Sequence, residues 1–153
     1  RRAILRVINK DSYSYYIDED GYLLPVNPGY PSRVLIANGN IKDGIKDLNG
    51  SRIHLSQQNN TPIIEELYEL ASYIDWSPFL SKMISQVWVN EKGAYELIPL
   101  IGNYTVKFGG IEEFPKKFEK LETFYREGAG KAGWIDYRSV DLRYKNQIIC
   151  SKK

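Results

Sequence analysis

His54 and Cys150 are the only histidine and the only cysteine of the chain, and they stand far apart in sequence. Neither has a Ser-His-Asp or Cys-His signature around it, so nucleophilic catalysis of those kinds has no set to work with. A lone cysteine also excludes an internal disulfide framework and a multi-cysteine zinc site. His54 has no ligating companion at a useful spacing, and it reads as a solvated or packed residue. Asp18 and Asp20 followed by Gly21 open like a calcium loop, but the Glu required six residues past the glycine is missing, so turn chemistry explains them better. Gly109-Gly110 lacks the Gly-Lys-Ser/Thr of a phosphate loop and reads as a strand-to-helix corner. No dinucleotide fingerprint is present. Glu65, Glu66 and Glu69 fit a solvated helix face better than an acid/base pair. The reading is a non-enzyme with no catalytic, metal or cofactor-binding residues.

The residues left to do chemistry are those that bind. Twelve tyrosines and three tryptophans are the compositional excess. Aromatics of this kind suit half-buried sheet surfaces, and they also dominate recognition hot spots or stack on sugars. The most pointed stretch is Val140-Asp141-Leu142-Arg143-Tyr144-Lys145-Asn146-Gln147-Ile148-Ile149-Cys150. Val140, Leu142 and Tyr144 alternate with Asp141 and Arg143, the period-2 pattern of a strand with one buried face. Lys145 and Asn146 then form a turn, where Asn tolerates left-handed backbone. Ile148, Ile149 and Cys150 follow in succession, so one of Ile148 and Ile149 must face away from whatever buries the other. A central strand covered on both sides explains this, and so does a terminal strand whose second face and open edge await a partner.

The elements that must position this hairpin follow in order. Ile4 to Ile8 is a strand apolar on both faces. Tyr13 to Ile17 and Tyr22 to Val26 flank the acidic turn as a hairpin. Val34 to Ala37 is a buried strand, and Asn40 to Asn60 an exposed loop with a short strand at Arg52 to Leu55. A helix starts at Thr61 as N-cap with Pro62 in its first turn, and Ile63, Leu67, Leu70, Ala71 and Ile74 form its apolar stripe. Phe79, Leu80, Met83, Ile84 and Val87 mark a second, shorter helix starting at Ser77-Pro78. Val87 to Val89, Tyr95 to Leu100 and Tyr104 to Phe108 form an antiparallel meander with an edge or bulge at Pro99. Ile111, Phe114, Phe118, Leu121 and Tyr125 stripe a third helix, with Lys116, Lys117, Glu119, Lys120 and Glu122 on its outer face and Gly128 and Gly130 as its stop. This order predicts an α+β fold: a mostly antiparallel sheet, about three helices packed on one side, and an open C-terminal edge strand.

At 153 residues the chain is long enough for one good core, or one domain plus a fragment. Its 42% hydrophobic and 26% charged content is that of a folded globular domain. A net charge of +2, with Lys and Arg scattered, argues against nucleic acid as a partner. No apolar run approaches a membrane span, and no signal peptide opens the chain. The start within a strand is read as the edge of a longer protein.

Taken together, several stretches resemble a known family. They are Tyr16-Ile17-Asp18-Glu19-Asp20-Gly21-Tyr22-Leu23-Leu24-Pro25, Ser32-Arg33-Val34-Leu35, Lys117-Phe118-Glu119-Lys120-Leu121 before Phe124-Tyr125, and the Val140 to Tyr144 run. From about Arg6 to Cys150 their order is similar to the bacterial cell-division family FtsQ/DivIB. Gly133-Trp134 and Asn146 to Cys150 are in the style of its Bacteroidetes branch. The resemblance implies a bitopic inner-membrane protein with a cytoplasmic tail, one membrane helix, a POTRA domain and a β domain. On that reading residues 1–10 are the junction with a POTRA-like domain upstream, and 11–153 are the β domain, placed in the periplasm and concentrated at the septum. The family scaffolds the divisome without catalysis, and its last strands bind FtsB, which comes paired with FtsL. Carried over by position, the partner-binding residues are Arg143, Tyr144, Asn146, Gln147, Ile148, Ile149 and Cys150, acting by β-augmentation. Lys152 and Lys153 would discourage wrong pairing and attract an acidic partner. The sequence lacks the aromatic that some proteobacterial members carry near the end of the final strand. The alternative is a periplasmic cell-wall glycan-binding module using surface Tyr and Trp, with Trp88 and Trp134 as candidates.

Overall fold

Apolar alternation in the sequence becomes ten strands, and helical stripes become three helices, in a computed structural model that describes residues 2–27, 33–58, 62–129 and 137–152. In chain order they are β1 (Ala3–Ile8), β2 (Ser14–Asp18), β3 (Tyr22–Pro25), β4 (Leu35–Gly39), β5 (Ile53–His54), α1 (Pro62–Trp76), α2 (Leu80–Met83), β6 (Ile84–Val89), β7 (Tyr95–Pro99), β8 (Thr105–Gly109), α3 (Phe114–Phe124), β9 (Tyr137–Asp141) and β10 (Ile149–Lys152). The strands form one sheet in the order β10-β9-β8-β7-β6-β4-β1-β2-β3-β5. Thr61, Gly130, Trp134 and Lys153 lie outside the described residues.

The α+β class and the three helices are as expected, but the sheet is mixed. β1 and β6 both run parallel to β4, and β9 runs parallel to β8. The reason lies in the connections. A short turn forces antiparallel neighbours, whereas a helix returns the chain to the end it left. α1 and α2 do this between β4 and β6, and α3 does it between β8 and β9. The hairpins and the β6-β7-β8 meander remain antiparallel. Pro99 closes a central strand rather than an edge, and it pairs with Ile84 beside a break in register.

Ile64, Leu67, Leu70, Ala71 and Ile74 of α1 and Phe118 and Leu121 of α3 join Leu5, Val7, Tyr15, Val87, Leu97, Val106 and Val140 in one core. Ile63 is half-buried at its margin. Across β1 to β3, Ala3, Tyr16 and Leu24 form a second, smaller cluster. The second helix is shorter than its sequence suggests. It is a single turn, and Ile84 and Val87 belong to β6, where their side chains are buried from a strand. No helix among the described residues is long and apolar enough to cross a membrane.

The stretch from Asn40 to Leu48 departs most from expectation, because Ile41, Asp43, Ile45 and Leu48 are buried. Asp43 holds it in place. Its carboxylate accepts from Tyr15 Oη at 2.5 Å, Asn9 Nδ2 at 2.9 Å and the Ile45 backbone N–H at 3.0 Å. Burial, with Asp43 beside it, pushes the Tyr15 phenol far above its ordinary range, so it remains a donor at physiological pH. Isolated apolar residues in a polar run look like loop, but fixed on a carboxylate they become core. Asp43→Ala leaves buried donors unmatched at roughly 1–3 kcal/mol each. We expect it to lower the urea midpoint sharply, and an unchanged midpoint would show the network to be dispensable. Gly39 ends β4 at φ +107°, and a Cβ there would stand 2.3 Å from the Val89 carbonyl oxygen, so only glycine fits.

Candidate functional site

The terminal hairpin is wider than its alternation suggests. β9 stops at Asp141, seven residues loop from Leu142 to Ile148, and β10 pairs back antiparallel with Ile149 opposite Asp141 and Cys150 opposite Val140. Leu142 stays buried and donates its N–H to the Lys107 carbonyl, but Arg143 and Tyr144 leave the ladder. Asp141 is the cause. Its Oδ1 accepts the Arg143 backbone N–H at 3.0 Å, and its two oxygens take the guanidinium at 2.9 and 2.7 Å. A local side-chain acceptor competes here with the sheet and wins. Asn146 then turns the chain at φ +61°, the left-handed conformation expected of it.

Beside this loop lies a groove of ≈ 1130 Å³ between α3 and residues 142–148. Phe124, Tyr137, Leu142 and Ile148 supply its apolar surface, and Glu112, Lys116, Lys117, Glu119 and Lys120 its charged wall. Of the residues singled out from the sequence, Arg143, Tyr144, Asn146, Gln147 and Ile148 line the groove. Ile149 and Cys150 lie on β10 next to it. Cys150 and Ile148 pack against the core, whereas Ile149 is 43% exposed and faces the other way. Burial pushes the Cys150 thiol up, so it is a poor nucleophile. β10 is the last strand of the sheet, and among the described residues nothing pairs with its outer edge.

Two lysines expected on the outer face of α3 turn inward instead. Lys117 is buried over the Phe108 ring, 5.0 Å from its centroid, and donates to the Gly110 carbonyl at 3.0 Å. Lys120 Nζ donates to the carbonyls of Leu142, Tyr144 and Gln147 at 3.0, 2.5 and 3.0 Å. Burial, then the neighbouring Lys117 charge, lowers the Lys120 pKa against the pull of Asp141. Their positions carried a signal. Residues 117, 120, 121 and 124 share one helical stripe, so both lysines border the apolar face rather than oppose it.

Burial pushes the Asp141 carboxyl up, but the bonds and charge of Arg143 outweigh it and hold the group below its ordinary 3.8. The Arg143 guanidinium is raised correspondingly. A carboxylate lowered in the folded state adds stability that is complete above its unfolded pKa near 4 and disappears as pH falls through the lowered value. We expect the Arg143 amide resonance to titrate with a midpoint below 3.8 and the loop amides to lose exchange protection over the same range. A midpoint at or above the ordinary value would contradict this assignment.

The sequence matches the family described as FtsQ/DivIB, C-terminal related, over residues 2–151. The chain belongs to that family. FtsQ/DivIB proteins are non-enzymatic cell-division proteins, which gives this domain a place in the division machinery. The match spans β1 through the greater part of β10, so the groove, the loop and the edge strand all fall inside the FtsQ/DivIB-type domain. A comparison with curated proteins gives no match.

Proposed function

We propose that this domain is a scaffold module of the bacterial divisome that captures FtsB, paired with FtsL, by adding a strand of the partner to the outer edge of β10. The observation that carries the reading is the combination of an outer edge that no described residue pairs with and an apolar-floored groove beside it. An incoming strand would satisfy the backbone donors and acceptors of β10. Its alternate side chains would fall towards the groove on one face and beside Ile149 on the other. An exposed edge of this kind is otherwise an aggregation hazard, and Lys152 at its end blunts wrong pairing. In the full-length protein a membrane helix and a POTRA-like domain would precede this one, placing it in the periplasm at the septum. Co-purification of the domain with the organism's FtsB/FtsL pair tests the reading. Capture lost on substitution in β10 supports it, and no capture by the wild-type domain rejects it.

A glycan-binding role has one observation in its favour. Trp88 is 38% exposed, and its cross-strand neighbours are Asn38 and Glu96. An indole flanked by an amide and a carboxylate is the chemistry that holds a sugar ring. Peptidoglycan fragments should then shift the Trp88 indole resonance by NMR, and Trp88→Ala should abolish binding. Spectra unchanged by the fragments would remove this reading.

A further inference from the structure

The structure assigns Lys120 as the positioning residue of the C-terminal edge, an inference that deepens the reading of β10 as a partner-binding strand and rests on it. An ammonium group has three N–H donors. All three are matched, because Nζ reaches the carbonyls of Leu142, Tyr144 and Gln147 at 3.0, 2.5 and 3.0 Å. Those carbonyls are spread along the loop between β9 and β10, so one side chain from α3 gathers the loop's start, middle and end onto a single atom. Among the described residues, Lys120 is the side chain that brings these loop carbonyls together. Asp141 fixes only Arg143, the second residue after β9. Gln147 N–H approaches the Tyr144 carbonyl only at 3.5 Å, so the turn itself is weakly closed.

With its donors used within the domain, Lys120 has no proton left for a partner. Its role is therefore to set the geometry in which the edge of β10 and the groove wall meet the incoming chain. Ordering the loop before binding removes an entropic cost that the complex would otherwise carry. The apparent affinity falls in proportion to the fraction of molecules holding the competent loop. The three acceptors converge on one nitrogen, which a tetrahedral ammonium can serve and a planar guanidinium cannot. Charge alone is thus insufficient, and Lys120→Arg separates the two possibilities.

The test compares wild type, Lys120→Met and Lys120→Arg by amide hydrogen exchange at residues 143–150, by urea unfolding and by titration with the FtsB/FtsL pair. In Lys120→Met we expect exchange in this segment to rise about tenfold or more and affinity to fall about tenfold, with core amides and the urea midpoint changing little. Lys120→Arg should resemble the Met variant in the loop. Loop exchange at wild-type levels in Lys120→Met, or an Arg variant indistinguishable from wild type, overturns the assignment. Should Lys120→Met fail to fold, the exchange pattern of Lys120→Arg decides. If the wild-type domain captures no partner, the proposed function fails, while the exchange data still decide whether Lys120 sets the edge.

Discussion

Replacing Ile149 with lysine is expected to weaken partner capture by about 2 kcal/mol or more, roughly 30-fold, and to leave the domain folded. Ile149 is 43% exposed, so little burial is lost in the free domain. Lysine is the better probe than glutamate, because Asp141 lies directly opposite and would repel a second carboxylate. On the edge the ammonium group does what natural edge lysines do, making strand addition costly. Ile148→Lys should differ. Ile148 packs against the core, so that variant should lose stability as well as binding. Calorimetric titration with FtsB/FtsL, beside urea unfolding of each variant, gives both quantities. Full-strength binding by both variants would mean that the partner docks elsewhere.

Phe118→Ala is expected to have the largest effect on stability, about 3–5 kcal/mol. Phe118 is fully buried, with ring centroids 4.8 Å from both Phe108 and Tyr73 and 6.4 Å from Phe114. Truncation removes the centre of the aromatic cluster between α3 and the sheet. Because typical domains are stable by only about 5–15 kcal/mol, the loss is a large share of the total. It should also open the groove, since α3 carries both the Phe118 ring and Lys120. Phe118→Leu, which keeps most of the volume, should recover much of the difference. The measurement is the urea midpoint at constant slope, and a loss below about 1 kcal/mol would show that α3 is held by other contacts.

The resemblance rested on the order of short motifs, and the family match bears it out from Arg2 to Ser151. Local signals also held. Leu67, Leu70, Ala71 and Ile74 at helical spacing became the buried stripe of α1, and the Gly109-Gly110 corner does separate β8 from α3. Asn146 sits in the left-handed turn its side chain allows. At the candidate site, the sequence required that Ile148 and Ile149 face opposite ways, because the strand period is two.

Four things had to wait for tertiary structure, each for the same physical reason: the deciding partner is remote in sequence. Which isoleucine is exposed depends on the pairing of Cys150 with Val140, whose own side chain is in the core. The parallel joins depend on where α1, α2 and α3 return the chain. Asp43 could pass for a loop residue until Tyr15 and Asn9 close on it. Lys120 looks like a solvated helix residue until the carbonyls of Leu142, Tyr144 and Gln147 surround its nitrogen. Residue type and spacing determine which face of an element is apolar, whereas the long-range hydrogen bonds that stop a strand, seat a loop or turn a lysine inward exist only once the elements have packed.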